Sequence, residues 1–298
     1  MSEAKCEPGE GNSQVALTRP RFARAPSPVN GRGFTRIDKS PAPGAHRPMR
    51  EFPLAVLAAF TVAATPVHAM VGATSAALPG GRHAVMIVGS GGTFCTGAAI
   101  ARDLVLTAGH CIAPDTHYKL VEFDAKHQPQ LLDVTRAVRH PQFNMQTLLG
   151  HRATADVALL KLAKPLPAGI IPATLDRTDR RPQAGDRYTV TGYGLAVHGD
   201  GKTGGVLRAA QLVATGKPGN LQIRLVDPAT GGKTPGMGAC TGDSGAPVYD
   251  GTALTGVVSW STGPNMTAGC GGITGVTPIA LYRSWIEQEA ARLGSPLN

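Results

Sequence analysis

The stretch "GACTGDSGAPVY", Gly238–Tyr249, places one serine, Ser244, between glycines and directly after an acid, Asp243. A backbone with glycine on both sides can turn sharply, and Gly242 has no side chain to block an approach to the amides around it. Ordinary surface turns are built from the same Gly, Asp and Ser. The stretch gains chemical meaning only if the rest of the chain supplies a base for the hydroxyl, because a serine at its free pKa is a weak nucleophile.

Two other segments supply candidates. In "LVLTAGHC", Leu104–Cys111, an apolar strand-like run ends in a tight turn carrying His110 beside Cys111. In "ADVALLKL", Ala155–Leu162, Asp156 heads an apolar run and so falls at the entrance of a buried strand. A neutral imidazole held in one tautomer by a carboxylate is the usual activator of serine. Attack on a carbonyl then puts negative charge on oxygen, which preorganised backbone N–H groups stabilise by a few kcal/mol per donor. Gly242 and Ser244 are placed to supply two such amides.

The setting is consistent with such a site. The chain has 298 residues, 42% hydrophobic and 5% aromatic, with 38 Gly and 24 Pro, a composition that favours many turns and an all-β plan. Short β-type runs recur from Met70 onward, among them "HAVMIVG", "DLVLTAG", "VALLKL", "RYTVTGYG" and "LTGVVSW". About a dozen strands exceed one small sandwich. The Pro-rich, polar passage Ala163–Gly185 divides them into comparable halves, which predicts two tandem six-stranded antiparallel β-barrels, over about 70–175 and 180–298. At the end, Ile279, Tyr282, Ile286, Ala290 and Leu293 fall at helical spacing and predict a closing α-helix with one face on the barrels.

Formal net charge is +9, with nine Lys/Arg against five Asp/Glu before residue 70 and twenty against fifteen after it. No dense basic cluster or nucleic-acid-binding signature accompanies it, so a nucleic-acid partner is not expected. Removing the first 69 residues removes Cys6 and leaves Cys95, Cys111, Cys240 and Cys270. None of their spacings suits a zinc site, so two disulfides in an oxidising compartment are expected.

Residues 1–48 are polar and rich in Pro, Gly and Arg, and read as a disordered extension or a mis-assigned start. Residues 49–69, "MREFPLAVLAAFTVAATPVHA", have an arginine, a short apolar run and small residues at Val67 and Ala69, the pattern of a cleaved export signal. The run is too short to span a bilayer, so no stable membrane anchor is expected. A secreted or periplasmic protein follows.

In motif order and spacing the chain resembles the chymotrypsin-like (trypsin-like) serine peptidase family, with an export segment of bacterial type. The resemblance covers residues 70–298 and rests on "VLTAGHC", "RHPQFN", "DVALLKL", "VTGYG", "TGDSGAPV", "GVVSW", "GVTPIA" and the final helix. It implies the chymotrypsin fold and a serine endopeptidase with His110 as base then acid, Asp156 as its orienting partner and Ser244 as nucleophile. Gly242 and Ser244 would form the oxyanion hole. Cys95 would pair with Cys111, and Cys240 with Cys270. Ser259, Trp260 and Ser261 would form the edge along which a peptide substrate lies as an added strand.

The resemblance also locates the primary specificity pocket. Its base falls at Gly238, where relatives that cut after Lys or Arg carry Asp, and its wall at Gly275. Both are uncharged, so an uncharged residue at the cleaved bond is expected, small to medium or apolar, with Ser261 narrowing the mouth. No calcium loop is evident near Val121–Gln130 despite Glu122 and Asp124, and no metal or cofactor is expected. Expected partners are protein or peptide substrates and a proteinaceous inhibitor, and the expected state is a monomer. Two other functions fit the same features: a catalytically inactive binding module on this scaffold, and an esterase with the same three residues.

The family's mature chain begins with a sequence like Ile-Val-Gly-Gly, whose freed α-ammonium pairs with the acid before the nucleophile. Here "MVG", Met70–Gly72, follows Ala69 directly, and the acid is Asp243. One cut after Ala69 is therefore expected both to release the protein and to activate it.

Overall fold

The recurring apolar runs form strands because nearly every one is buried on both faces. A computed structural model of the chain describes residues 70–72, 74–75, 81–124, 126, 128–178 and 180–297. The expected disordered extension, export signal and cleavage site lie before Met70 and fall outside the described residues.

The first half contains β1 (Thr74–Ser75), β2 (Ala84–Gly89), β3 (Phe94–Ala101), β4 (Leu104–Thr107), β5 (Tyr118–Phe123), β6 (Pro129–Arg139), a short helix α1 (Met145–Leu149) and β7 (Ala158–Leu162). Strands β2-β3-β4-β7-β6-β5 close into an antiparallel barrel. The second half contains β8 (Arg187–Gly192), β9 (Arg208–Ala214), β10 (Ile223–Val226), β11 (Pro247–Asp250), β12 (Ala253–Ser261), β13 (Ile273–Pro278) and α2 (Arg283–Arg292). Its order β9-β10-β13-β12-β11-β8 closes through β8–β9, and β1 adds to an open stretch of the β9 edge. The chain thus has two six-stranded antiparallel barrels and a C-terminal helix, the chymotrypsin-like fold.

Alternation of side chains along a strand explains the unbroken apolar sequences. In β4, Val105 points into the first barrel's core with Ile87, Leu120 and Leu160. Its neighbours Leu104 and Leu106 point outward, into a cluster that includes Leu159 of β7, Leu254 and Val257 of β12, and Ile286 and Ala290 of α2. The second barrel encloses Val190, Leu212, Leu225, Val248, Val258 and Val276, with Met70 fully buried among them. Each fully buried side chain of this size stabilises the fold by about 1.5–3 kcal/mol, and the outward-facing cluster applies that to the joint between the barrels.

The Pro-rich passage between the halves is fastened to both. Ala173 N donates to Ala99 O of β3 at 2.8 Å, and Leu254 N of β12 donates to Thr174 O at 2.9 Å. The closing helix starts later than its periodicity suggests, because Ile279–Leu281 forms a 3-10 turn first. Ile279, Ile286 and Ala290 are nonetheless fully buried, with Tyr282 and Leu293 packed beside them.

His140 of "RHPQFN" anchors this helix to the first barrel. Its ring meets Tyr282 edge-on at 5.2 Å and Trp285 at 4.7 Å, and its Nδ1 accepts from Gln142 N at 3.1 Å. Burial holds its pKa below the ordinary 6.5. A histidine whose folded pKa is depressed contributes stability above its unfolded pKa and loses it as pH falls below that value. The melting temperature should therefore drop between pH 7 and pH 5, and His140→Gln should flatten that drop; an unchanged pH profile in the variant would show that His140 is not its source.

Candidate active site

The first barrel builds one half of the site from two paired strands. β4 and β7 are antiparallel neighbours with Thr107 opposite Ala158. A turn just past the end of β4 and a residue just before the start of β7 therefore share one rim of the barrel. His110 lies in that turn, Gly109–Cys111, and Asp156 precedes β7. The disulfide Cys95–Cys111 ties the turn back to β3.

Asp156 is fully buried, and its carboxylate accepts three hydrogen bonds. Oδ1 takes the backbone N–H of His110 at 2.8 Å, and Oδ2 takes His110 Nδ1 at 2.9 Å. Ser259 Oγ, from β12 of the second barrel, donates to Oδ2 at 2.5 Å. An ionised carboxylate only accepts, so the imidazole proton sits on Nδ1 and the lone pair of Nε2 is left available as a base. The sequence reading took Ser259 as backbone edge only; its hydroxyl also holds the carboxylate.

The second barrel builds the other half on the loop from Gly238 to Ala246. Gly242 and Gly245 have φ of +94° and +78°, in the region that favours glycine. Space requires glycine as well. A Cβ on Gly242 would lie 2.3 Å from the Phe94 ring, and one on Gly245 would lie 2.1 Å from Thr107 Oγ1.

The loop is fixed from the first barrel by Thr96. Its N–H donates to Ser244 O at 2.8 Å, and its hydroxyl donates to Gly242 O at 2.8 Å while accepting from Tyr193 N at 3.1 Å. Thr107 Oγ1 in turn donates to Thr96 O at 2.8 Å. Sequence reasoning did not single out either threonine. The available signal was a hydroxyl inside otherwise apolar strands, "FCTGAAIA" and "LVLT", where a buried polar group needs a partner.

His110 and Ser244 face one cavity of about 370 Å³ between the barrels, lined also by Phe94, Gly242, Trp260 and Ser261. Among the described residues, no hydrogen bond joins Ser244 Oγ to His110. Such contacts are commonly long until substrate is bound.

Asp243 points the other way, into the protein. It is fully buried, and its oxygens accept from Gly194 N and Cys240 N, each at 2.9 Å. Cβ atoms on Gly192 or Gly194 would lie 2.2–2.4 Å from its carboxylate, so "VTGYG" supplies the space that the acid occupies. Burial pushes its pKa up to about 7 against these two bonds and the field of Arg208, and it makes no ion pair among the described residues. The segment from Met70 lies nearby. Val71 bridges to Gly238, whose N–H donates to Val71 O at 3.2 Å, but Met70 and Asp243 share no hydrogen bond among the described residues.

At the pocket base the structure corrects one expectation. Gly275 does not present its missing side chain to Gly238; a Cβ there would lie 2.1 Å from the Trp260 ring, on the other face of β13. Thr274, its neighbour, faces the base. Its Oγ1 accepts from Ala239 N at 2.9 Å and would lie 3.4 Å from a Cβ on Gly238. The disulfide Cys240–Cys270 closes the same region, bringing the Ser244 loop to the segment that follows β12.

The described residues hold two sets of cysteine and histidine with metal-like proximity, Cys95–His110–Cys111 and His198–Cys240–Cys270. All four cysteines are in disulfides, so neither set offers a thiolate. Asp124 is committed to its own turn, where Oδ1 accepts from Lys126 N at 2.8 Å and Gln128 N at 2.9 Å.

Comparison with known proteins adds an independent line. The family model described as "Trypsin" matches residues 70–286. Serine protease 1 of Canis lupus familiaris is 28% identical over 215 residues, which cover 68% of this chain and 82% of that protein. Trypsin 5G1 of Aedes aegypti is 30% identical over 209 residues, covering 65% and 74%. A solved chain described as "atomic resolution structure of HBP" superposes with a TM-score of 0.59 at 25% identity, covering 73% of this chain and 95% of that one. The two named sequence relatives are animal proteins and lend no support to a specifically bacterial type. With the match running from Met70 to Ile286, in the first turn of α2, the chain belongs to the trypsin family.

Proposed function

We propose that the chain is an exported serine endopeptidase that cleaves after an uncharged residue of small to medium size. The observation that carries this reading is the buried Asp156–His110 pair, oriented so that Nε2 is free at the cavity that Ser244 shares.

Ser244 Oγ attacks the carbonyl carbon of the substrate peptide while His110 Nε2 takes its proton. Asp156 stays ionised and stabilises the imidazolium through Nδ1–H, its own position held by Ser259. The tetrahedral oxyanion is received by the amides of Gly242 and Ser244, whose peptide units are held through Thr241 O by Leu195 N and through Asp243 O by Ala246 N. His110 then gives its proton to the leaving amine, which departs and leaves an acyl-enzyme on Ser244. Water, deprotonated by His110, attacks the ester and releases the acid. A peptide substrate would lie as an added strand against Ser259–Ser261.

Specificity follows from the pocket base. Gly238 supplies no charge to hold Lys or Arg, and the Thr274 side chain beside it reduces depth. Activation follows from Asp243: a freed α-ammonium at Met70 would give the buried carboxylate the counter-charge it lacks, and the position of Val71 against Gly238 supports that reach. Export and the cut after Ala69 rest on residues 49–69 alone, as does the bacterial cast of that segment.

A fluorophosphonate probe should label the processed protein on Ser244, and Ser244→Ala should lose both the label and about 10⁴-fold or more of peptide hydrolysis. Absence of labelling in the folded protein would leave the inactive binding module as the better reading. Cleavage profiling should show small uncharged residues at the cleaved bond, and Thr274→Gly should move the profile toward larger apolar ones; dominance of Lys or Arg would refute the pocket assignment.

The third expectation concerns pH. With residues attached before Met70, Asp243 has a folded pKa of about 7 against an unfolded value near 3.8. The folded state then holds the extra proton, so stability falls as pH rises from about 4 through 7, by up to about 4 kcal/mol. Processing to a free Met70 amine should abolish that fall up to the deprotonation of the amine itself near pH 8. Unfolding by urea at several pH values, on the extended and processed forms, should show the difference, and Asp243→Asn should remove it; identical curves for the two forms would sink the activation pair.

A further inference from the structure

One row of residues across three strands carries an unmatched charge. Arg224 of β10 is opposite Gly275 of β13, which is opposite Trp260 of β12. Because Gly275 has no side chain, the Trp260 indole lies in the space a Cβ would fill and comes within reach of the arginine. Arg224 Cζ sits 5.5 Å from the indole centroid. His151, on the loop after α1 of the first barrel, stacks on the same indole at 4.6 Å with planes 27° apart. Arg224 Nη2 donates to His151 O at 3.2 Å and Nε to Gln222 Oε1 at 3.2 Å, so the guanidinium joins the two barrels beside the cleft.

Trp260 as a residue is only 8% exposed. Trp260 itself lines the cavity around Ser244, and the cation of Arg224 stands behind it, beyond that cavity. Arg224 is half-buried and makes no ion pair among the described residues, and its Nη1 makes no hydrogen bond there. The exposed Arg152 beside His151 likewise has no ion pair among them. Cation–π contact offsets part of the cost of burying a guanidinium, but the fork of N–H groups remains suited to a carboxylate.

We infer that Arg224 is a specificity-determining residue that selects an Asp or Glu side chain at the fourth position on the amino side of the cleaved bond. The inference rests on the peptidase reading for the placement of the substrate. In an added strand successive side chains alternate between faces. The residue at the cleaved bond enters the pocket over Gly238, so the second and fourth residues upstream face the Trp260 side. The second lies beside His110. The fourth lies roughly 7 Å farther along, over Trp260 and toward Arg224, which does not line the cavity around Ser244.

Two peptides that differ only in Glu or Gln at that fourth position test the inference on the processed protein. The Glu peptide should show kcat/KM higher by roughly 5-fold, the size of a partly exposed ion pair, and the advantage should shrink at high salt. Arg224→Gln should bring the ratio to about 1, whereas Arg224→Lys, which keeps the charge without the fork, should keep part of it. Equal kcat/KM for the two peptides in the wild type would overturn the inference and leave the peptidase reading intact. If neither peptide is cleaved, their binding to Ser244→Ala by fluorescence anisotropy decides: tighter binding of the Glu peptide supports the role of Arg224 while the peptidase reading fails, and equal binding overturns both.

Discussion

A carboxylate with no access to solvent is costly unless donors surround it, and at Asp156 those donors come from both halves of the molecule. His110 contributes its backbone N–H and its ring from the first barrel, and Ser259 contributes its hydroxyl from the second. Leaving a buried charge without its partners costs several kcal/mol, so the barrels cannot part or slide without exposing that cost. The apolar cluster around Leu104, Leu159, Leu254 and Ile286 holds the barrels together without direction. The Asp156 bonds supply direction, and they fix the imidazole at the same time.

The loop that carries Ser244 obeys the same logic with backbone in place of charge. Two residues at positive φ would be strained in any residue but glycine, and Phe94 and Thr107 crowd both positions. The strand β3 that contributes Phe94 also contributes Thr96, whose three hydrogen bonds hold the loop carbonyls and Tyr193. The amides of Gly242 and Ser244 share their planar peptide units with Thr241 O and Asp243 O, which accept from Leu195 N at 2.8 Å and Ala246 N at 2.9 Å. Orientation of those amides is thus set by bonds within the second half of the chain, while Thr96 of the first barrel holds the carbonyls of the peptide units that follow.

How far this was readable in the sequence depends on the range of each contact. His110, Asp156 and Ser244 each stand in a short motif at a strand end, where local pattern determines position, and the strands' double burial shows as unbroken apolar runs. The pocket wall was misread at Gly275 because face along a strand alternates by one residue. The β12–β13 register shifts between Val258 and Trp260, and no sequence pattern marks that irregularity. The hydroxyl of Ser259 reaches an acid 103 residues away, and Arg224 meets Trp260 only through a row of three strands. Contacts of that kind depend on register, which is fixed by the whole barrel.

Gly275 and Asp243 share a lesson about what an absent side chain does in this fold. At Gly275 the vacancy is filled by an indole, which shifts the pocket wall to Thr274 and opens a path from Trp260 to a cation. At Gly192 and Gly194 it is filled by a carboxylate whose two bonds are to backbone amides rather than to a cation. Two amide donors lower a carboxylate's pKa, yet the value remains near 7, so desolvation outweighs them. Two amide donors suit an ionised carboxylate but supply no counter-charge for it. In the proposed enzyme the missing element is one positive charge, and a chain end beginning at Met70, whose side chain is already packed in the second barrel, brings that charge at no further cost in core packing.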